Sequence, residues 1–184
     1  DISARDVQAV EMGGMLGPAK SKDFDTANVM GPCLVTADEI EDPYNLTMVA
    51  RVNGVCMAGG LGLLCMTDMA IAADHVQFGL PEVKIGLFPM QVLSLLQRIA
   101  PRRTVREWCL TGEPFDAAEA KESGLLNHVV PAAELDAKTQ WLIDRLAGKS
   151  PTAIRRGKYA MRALEAMSFD EGIAYTESQI ALLA

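Results

Sequence analysis

The chain has 184 residues, of which 49% are hydrophobic and 22% charged, and its formal net charge is −7 at pH 7. That length fits one domain with a substantial core, no apolar run reaches the roughly 18 residues of a membrane span, and an acidic chain is poorly suited to holding a nucleic-acid backbone. The expectations are a soluble, cytoplasmic protein with no nucleic acid and no membrane among its partners.

Asp1 replaces an initiator Met and no charged-then-apolar leader follows it, while the closing SQIALLA is still helical in pattern; missing segments at both ends are expected. Residues 1–35 carry little periodicity, and GGMLGPAKS at 13–21 reads as a mobile loop, a candidate lid. The acidic stretch 36–42 predicts a short helix or turn, with Thr36 as cap and Pro43 as stop. LTMVARVNG at 46–54 predicts a buried strand ending on an Asn-Gly turn. MAGGLGLLCM then predicts a flexible Gly59-Gly60 turn opening a short helix, and MAIAA and VQFGL two further strands. GLFPM at 86–90 leads into a helix over 90–99.

Helices are predicted at 101–110, from Asp116 to Gly124, at 132–147 and at 151–166, with LLNHVV at 125–130 as the last strand. Leu135, Leu142 and Leu146 form one apolar stripe and Ile154, Met161 and Leu164 another, and both are expected in the core. Strands alternating with helices give an α/β fold with a parallel sheet, because parallel strands need crossover connections.

Cys33, Cys56, Cys65 and Cys109 show no CxxC spacing, which favours free thiols in a reducing compartment. His75 and His128 stand apart without HxxxH or HxxE spacing, so no metal is expected. The glycine turn does not match a dinucleotide fingerprint: AGGLG lacks GxGxxG spacing, and Asp74 lies too near to serve as the ribose-binding acid. Two readings remain for it. The small residues allow close packing of helix on strand, or the N–H groups at the helix start hold a developing oxyanion. Glu82, flanked by Leu80, Pro81, Val83, Ile85, Leu87 and Phe88, is the candidate proton carrier, since a carboxylate shielded from water can pass protons. A salt bridge to Lys84 or a nearby Arg would instead make it a structural anion.

NGVCMAGGLGLLCMTD at 53–68, FGLPEVKIGLFP at 78–89 and LTGEPFDAAEAKESGLLNHVVP at 110–131, in this order and spacing, resemble the crotonase superfamily of enoyl-CoA hydratases and isomerases. The resemblance covers about residues 46 to 184. It implies an α/β fold built as a spiral of β-β-α units over 1–130, followed by a helical C-terminal region over 131–184 that builds a homotrimer or dimer of trimers. It also implies an acyl-CoA thioester substrate and no cofactor, coenzyme A entering as part of the substrate.

By position, Gly59 matches one oxyanion donor and Glu82 the second of two glutamates. The other donor would fall just before Asp1-Ile2. The first glutamate aligns with Gly62, a departure that gives weight to isomerisation by a single acid/base, and a non-catalytic acyl-CoA-binding relative is a further alternative. Met57, Ala58, Gly60, Leu61, Gly62, Phe88 and Met90 are the candidate substrate-binding residues. Arg155, Arg156, Lys158 and Arg162 make a basic surface that reads either as a solvated face or as a contact for the nucleotide phosphates.

Overall fold

The structure, a computed structural model, describes residues 46–180 together with Val10, Glu39 and Ile40. The chain divides at Pro43/Tyr44, and the fold below is that of the unit beginning at Tyr44. The candidate lid at 13–21, most of the acidic stretch 36–42, Cys33 and the Asp1-Ile2 pair lie outside the described residues.

Two small sheets organise the unit. The first has the order β1 (Val49–Val52), β3 (Met69–Ala73), β6 (His128–Val130), with all strands parallel. The second has the order β2 (Cys56–Met57), β4 (Gln77–Gly79), β5 (Phe115–Asp116), in which β2 and β4 are parallel and β5 antiparallel. Ala70, Ile71, Ala72 and Ala73 of β3 are all buried, as a central parallel strand requires. β1 departs from the buried strand predicted over 46–54. It is a half-buried edge, and its Arg51 turns outward to Asp136, with Nε and Nη2 each 2.6 Å from Oδ1.

Helix α1 (Gly59–Cys65) follows β2, and a 3-10 helix (Pro81–Ile85) and α2 (Met90–Leu96) follow β4. β2 itself is an element that the sequence pattern does not reveal, since two residues carry no periodicity. Helix α2 is also three residues shorter than predicted, ending at Leu96.

Helices α3 (Arg102–Thr111) and α4 (Ala117–Glu122) complete the middle of the chain. Asp116 caps α4 by accepting from Glu119 N at 2.9 Å, and Gly124 follows that helix at φ 84°, as predicted for a cap and a stop. Trp108 of α3 stacks on Phe115 at 3.8 Å and donates from Nε1 to Glu119 at 2.6 Å, so its one polar atom is satisfied in the core.

A single 3-10 turn (Ala132–Glu134) leads into α5 (Leu135–Leu146), and α6 (Pro151–Leu164) and α7 (Phe169–Ile180) end the described chain. On α5, Leu135 and Leu142 are buried and Leu146 packs against the core, in agreement with the stripe. On α6 the stripe is not core: Ile154 and Leu164 are half-buried and Met161 is exposed. Helix α6 is held to the sheet by Lys158, whose Nζ lies 2.8 Å from both Asp68 Oδ2 and the Leu46 carbonyl oxygen. Its small residues Ala153 and Gly157 leave a groove toward Met69 and Leu146 where a filled core was expected.

Two glycines set how closely the elements bearing Gly59 and Glu82 approach their neighbours. A Cβ on Gly79 would lie 2.9 Å from Met57 Sδ, the far end of a flexible side chain, and 3.4 Å from Pro114 Cα, so glycine lets β2, β4 and the chain before β5 meet there without moving Met57. Gly112 ends α3 at φ 66°, and a Cβ on it would lie 2.8 Å from Val83 Cγ1 on the 3-10 helix. Gly112→Ala combines a disfavoured φ with that clash, and a loss of about 1–3 kcal/mol is expected in chemical denaturation. Asp68 also accepts from Met48 N at 2.8 Å, so Asp68→Ala strips both Lys158 and a backbone N–H of their acceptor. A comparable loss of about 1–3 kcal/mol is expected by the same measurement.

Candidate active site

Helix α1 opens on a strained residue. Ala58, which precedes it, has φ 50° and ψ −124°, the geometry of the first corner of a type II′ turn and one that favours glycine. Its N–H donates to the Gly79 carbonyl at 2.9 Å, and its carbonyl accepts from Leu61 N at 3.0 Å. The turn is therefore pinned on both sides, and the flexible Gly59-Gly60 turn predicted from sequence is corrected: neither glycine has a positive φ. A Cβ on Gly59 would meet nothing within 4 Å, so packing does not explain that glycine. Gly59 is the first residue of the helix, where an N–H has no intrahelical acceptor.

Gly62 is different. It is buried, and a Cβ there would lie 3.2 Å from Val92 Cγ2 on α2. Close packing of α1 on α2 accounts for it, and the space a longer side chain would enter belongs to Val92.

Glu82 stands in the first turn of the 3-10 helix, directly after β4. Its Oε2 is buried and has no hydrogen-bond partner. The apolar collar predicted around it is only partly present, because Ile85 and Leu87 turn outward and are exposed. The alternative salt bridge is replaced by another: Lys84 Nζ lies 2.9 Å from Glu113 Oε1. Burial pushes the Cys109 thiol above its ordinary range, and the Glu82 carboxylate adds to the rise, which sets the acid beside the buried face of α3. Burial likewise pushes the Cys56 and Cys65 thiols up to about 11, so both are neutral at ordinary pH.

Gly59, Glu82, Phe88, Met90, Gln91 and Val92 line one pocket of about 340 Å³ with Pro89, a size within the range of small-molecule sites. Four of the candidate residues thus come together: Gly59, Glu82, Phe88 and Met90. The other five do not line it. Leu61 is a fully buried core residue, Met57 packs on the position of Gly79, Gly62 lies under Val92, and Gly60 faces a separate hollow with Cys56 and Leu64. Ala58 acts through its backbone. Gln91 and Val92 escaped the sequence reading; the one signal was a polar residue in the first turn of a mostly apolar helix.

Of the basic candidates, Lys158 is occupied by Asp68 and Leu46, and Arg162 lines a hollow with Arg98 and Glu165. His75 Nε2 lies 3.1 Å from the Asn53 carbonyl oxygen, and His128 packs edge-on against Trp141. Among the described residues no three His, Cys, Asp or Glu side chains gather into a metal-holding group, and no helix is long and apolar enough to cross a membrane.

The sequence model of the enoyl-CoA hydratase/isomerase family matches residues 32–183. Carnitinyl-CoA dehydratase of Proteus mirabilis is 33% identical over 166 residues, 89% of this chain and 61% of that protein. A probable enoyl-CoA hydratase of Mycobacterium tuberculosis is 37% identical over 69% of this chain and 50% of its own length. Among solved structures, an enoyl-CoA hydratase of Mycobacterium smegmatis superposes with a TM-score of 0.73 at 28% identity, covering 75% of this chain and 54% of that one. Human enoyl-CoA hydratase domain-containing protein 3 gives 0.72 at 32% identity, covering 74% of this chain and 54% of that one. The chain therefore spans about half to three fifths of the length of these relatives. Match, identity and crotonase fold agree: the chain belongs to the enoyl-CoA hydratase/isomerase family.

Proposed function

We propose that the protein is an enoyl-CoA hydratase/isomerase-type enzyme that acts on an acyl-CoA thioester through an oxyanion-stabilised enolate, with Glu82 as general acid/base. The observation that carries this reading is the shared pocket of Gly59 and Glu82, in which Glu82 Oε2 is buried without a partner. A thioester oxygen against the Gly59 N–H gains charge as the α-carbon loses or awaits a proton, and a fixed N–H dipole is worth most where charge develops. The missing Cβ at Gly59 leaves that approach open. Glu82 then takes the proton from carbon or returns it. The names of the relatives, hydratases and a dehydratase of CoA esters, support the same substrate class. No cofactor is needed for this chemistry.

Isomerisation alone is the second reading, favoured by the closed position beside Gly62. One base suffices there: Glu82 removes a proton from C2 of a 3-enoyl thioester and delivers it to C4, leaving the 2-enoyl product. The homotrimeric or dimer-of-trimers assembly is proposed on the same family grounds. The exposed Tyr159, Met161, Phe169 and Ile180 on α6 and α7 support a covered C-terminal face.

Glu82→Gln is expected to lower kcat/KM by about 10²–10⁴ on 2-enoyl-CoA or 3-enoyl-CoA while acyl-CoA binding persists. Comparing the two substrates separates hydration from isomerisation, whereas tight binding with no turnover of either identifies a non-catalytic binder. Hydration at the wild-type rate in Glu82→Gln would remove the residue from the mechanism. Sedimentation velocity is expected to give a multiple of three chains, and a monomer would end the assembly proposal.

A further inference from the structure

Adding water across a double bond makes two demands on a site. One group must move a proton to C2, and another must hold the oxygen that bonds to C3. Glu82 answers the first. Gly62 carries no side chain, and Val92 Cγ2 lies 3.2 Å from where its Cβ would be, so α1 as it stands offers no side chain at that position to answer the second.

Among the described residues, the remaining lining offers one polar side chain. Phe88, Pro89, Met90 and Val92 are apolar, Gly59 has only its backbone, and Gln91 carries an amide. Gln91 sits in the first turn of α2, where its own carbonyl accepts from Ser94 Oγ at 2.8 Å. Its side chain is engaged by no hydrogen bond among the described residues and is exposed at the pocket rim, where water is available. A primary amide accepts and donates at once without changing its own charge, which suits it to holding a water rather than to taking its proton.

We propose that Gln91 is the positioning residue for the water that adds to C3, replacing a second carboxylate. This rests on the reading of Glu82 as acid/base. The amide oxygen of Gln91 accepts one O–H of the water. As the water oxygen bonds to C3, its other proton passes to the Glu82 carboxylate and the π electrons move onto the thioester oxygen as an enolate. Glu82 then delivers that proton to C2 and the thioester is restored, so one water is added across the double bond and Glu82 is regenerated.

The test compares two reactions of the same protein: hydration of crotonyl-CoA, and exchange of the α-protons of butyryl-CoA with D₂O, which needs the enolate and Glu82 but no added water. Gln91→Leu is expected to lower hydration by about 10- to 100-fold, as for a lost hydrogen bond to a reacting group, while exchange stays within about twofold. Gln91→Glu, which keeps an acceptor oxygen, is expected to retain most hydration. Circular dichroism of each variant checks the fold, and the exposed position makes both substitutions mild. Unchanged hydration in Gln91→Leu, or an equal fall in both reactions, overturns the proposal. Wild-type exchange without hydration also overturns it but leaves the role of Glu82 intact; neither reaction in the wild type overturns both.

Discussion

The hydrogen bond from Ala58 N–H to the Gly79 carbonyl, 2.9 Å long, is the constraint on which the candidate site depends. It lies at the carboxyl ends of β2 and β4, which run parallel with Met57 beside Gly79. Parallel neighbours deliver their following segments to the same edge of a sheet, the place where open α/β folds form crevices. One segment here is the start of α1 and the other is the 3-10 helix with Glu82. Their meeting needs no long-range loop, only this pairing.

Helix α2 governs what the pocket can hold. Val92 faces Gly62 and closes the side toward α1, while Phe88 and Met90 add apolar wall and Gln91 an amide. A glycine in one helix and a valine in the next are packed as a pair: a Cβ at position 62 would require Val92 to give by a few tenths of an ångström. Under the proposed function this packing bears on the chemistry of the pocket alongside Gly59 and Glu82.

Much of this was legible in the sequence, and the failures have physical causes. Prolines, glycines and caps act locally, so Asp116, Gly124, Ser150 and Pro151 marked helix ends correctly, with Ser150 accepting from Ala153 N at 3.3 Å. Glu82 and the helix start at Gly59 stood out from their local pattern, and the family resemblance assigned them roles as a pair. The type of glycine was not: Gly59 is open, Gly62 is packed, Gly79 admits a neighbouring strand and Gly112 takes a left-handed backbone, yet all four are the same letter. The stripe on α6 misled because periodicity reports an apolar face and not what covers it. Lys84 went to Glu113 because a pairing partner thirty residues away is invisible in a local pattern.

Two unfavourable features converge on the candidate pocket, and their coincidence is itself an argument. Ala58 holds a backbone conformation that costs an L-residue about 1–3 kcal/mol, and Glu82 keeps a buried oxygen without a partner, a cost of similar order. Glycine at 58 would relieve the first, and an apolar residue at 82 the second. Stability alone gives no reason for either, whereas a pinned helix start beside an unpartnered acid suits the enolate chemistry proposed for this pocket. Under the proposed enolate reading the two costs amount to preorganisation: the N–H at Gly59 and the carboxyl of Glu82 would be in place before an acyl-CoA arrives, leaving little rearrangement when charge moves.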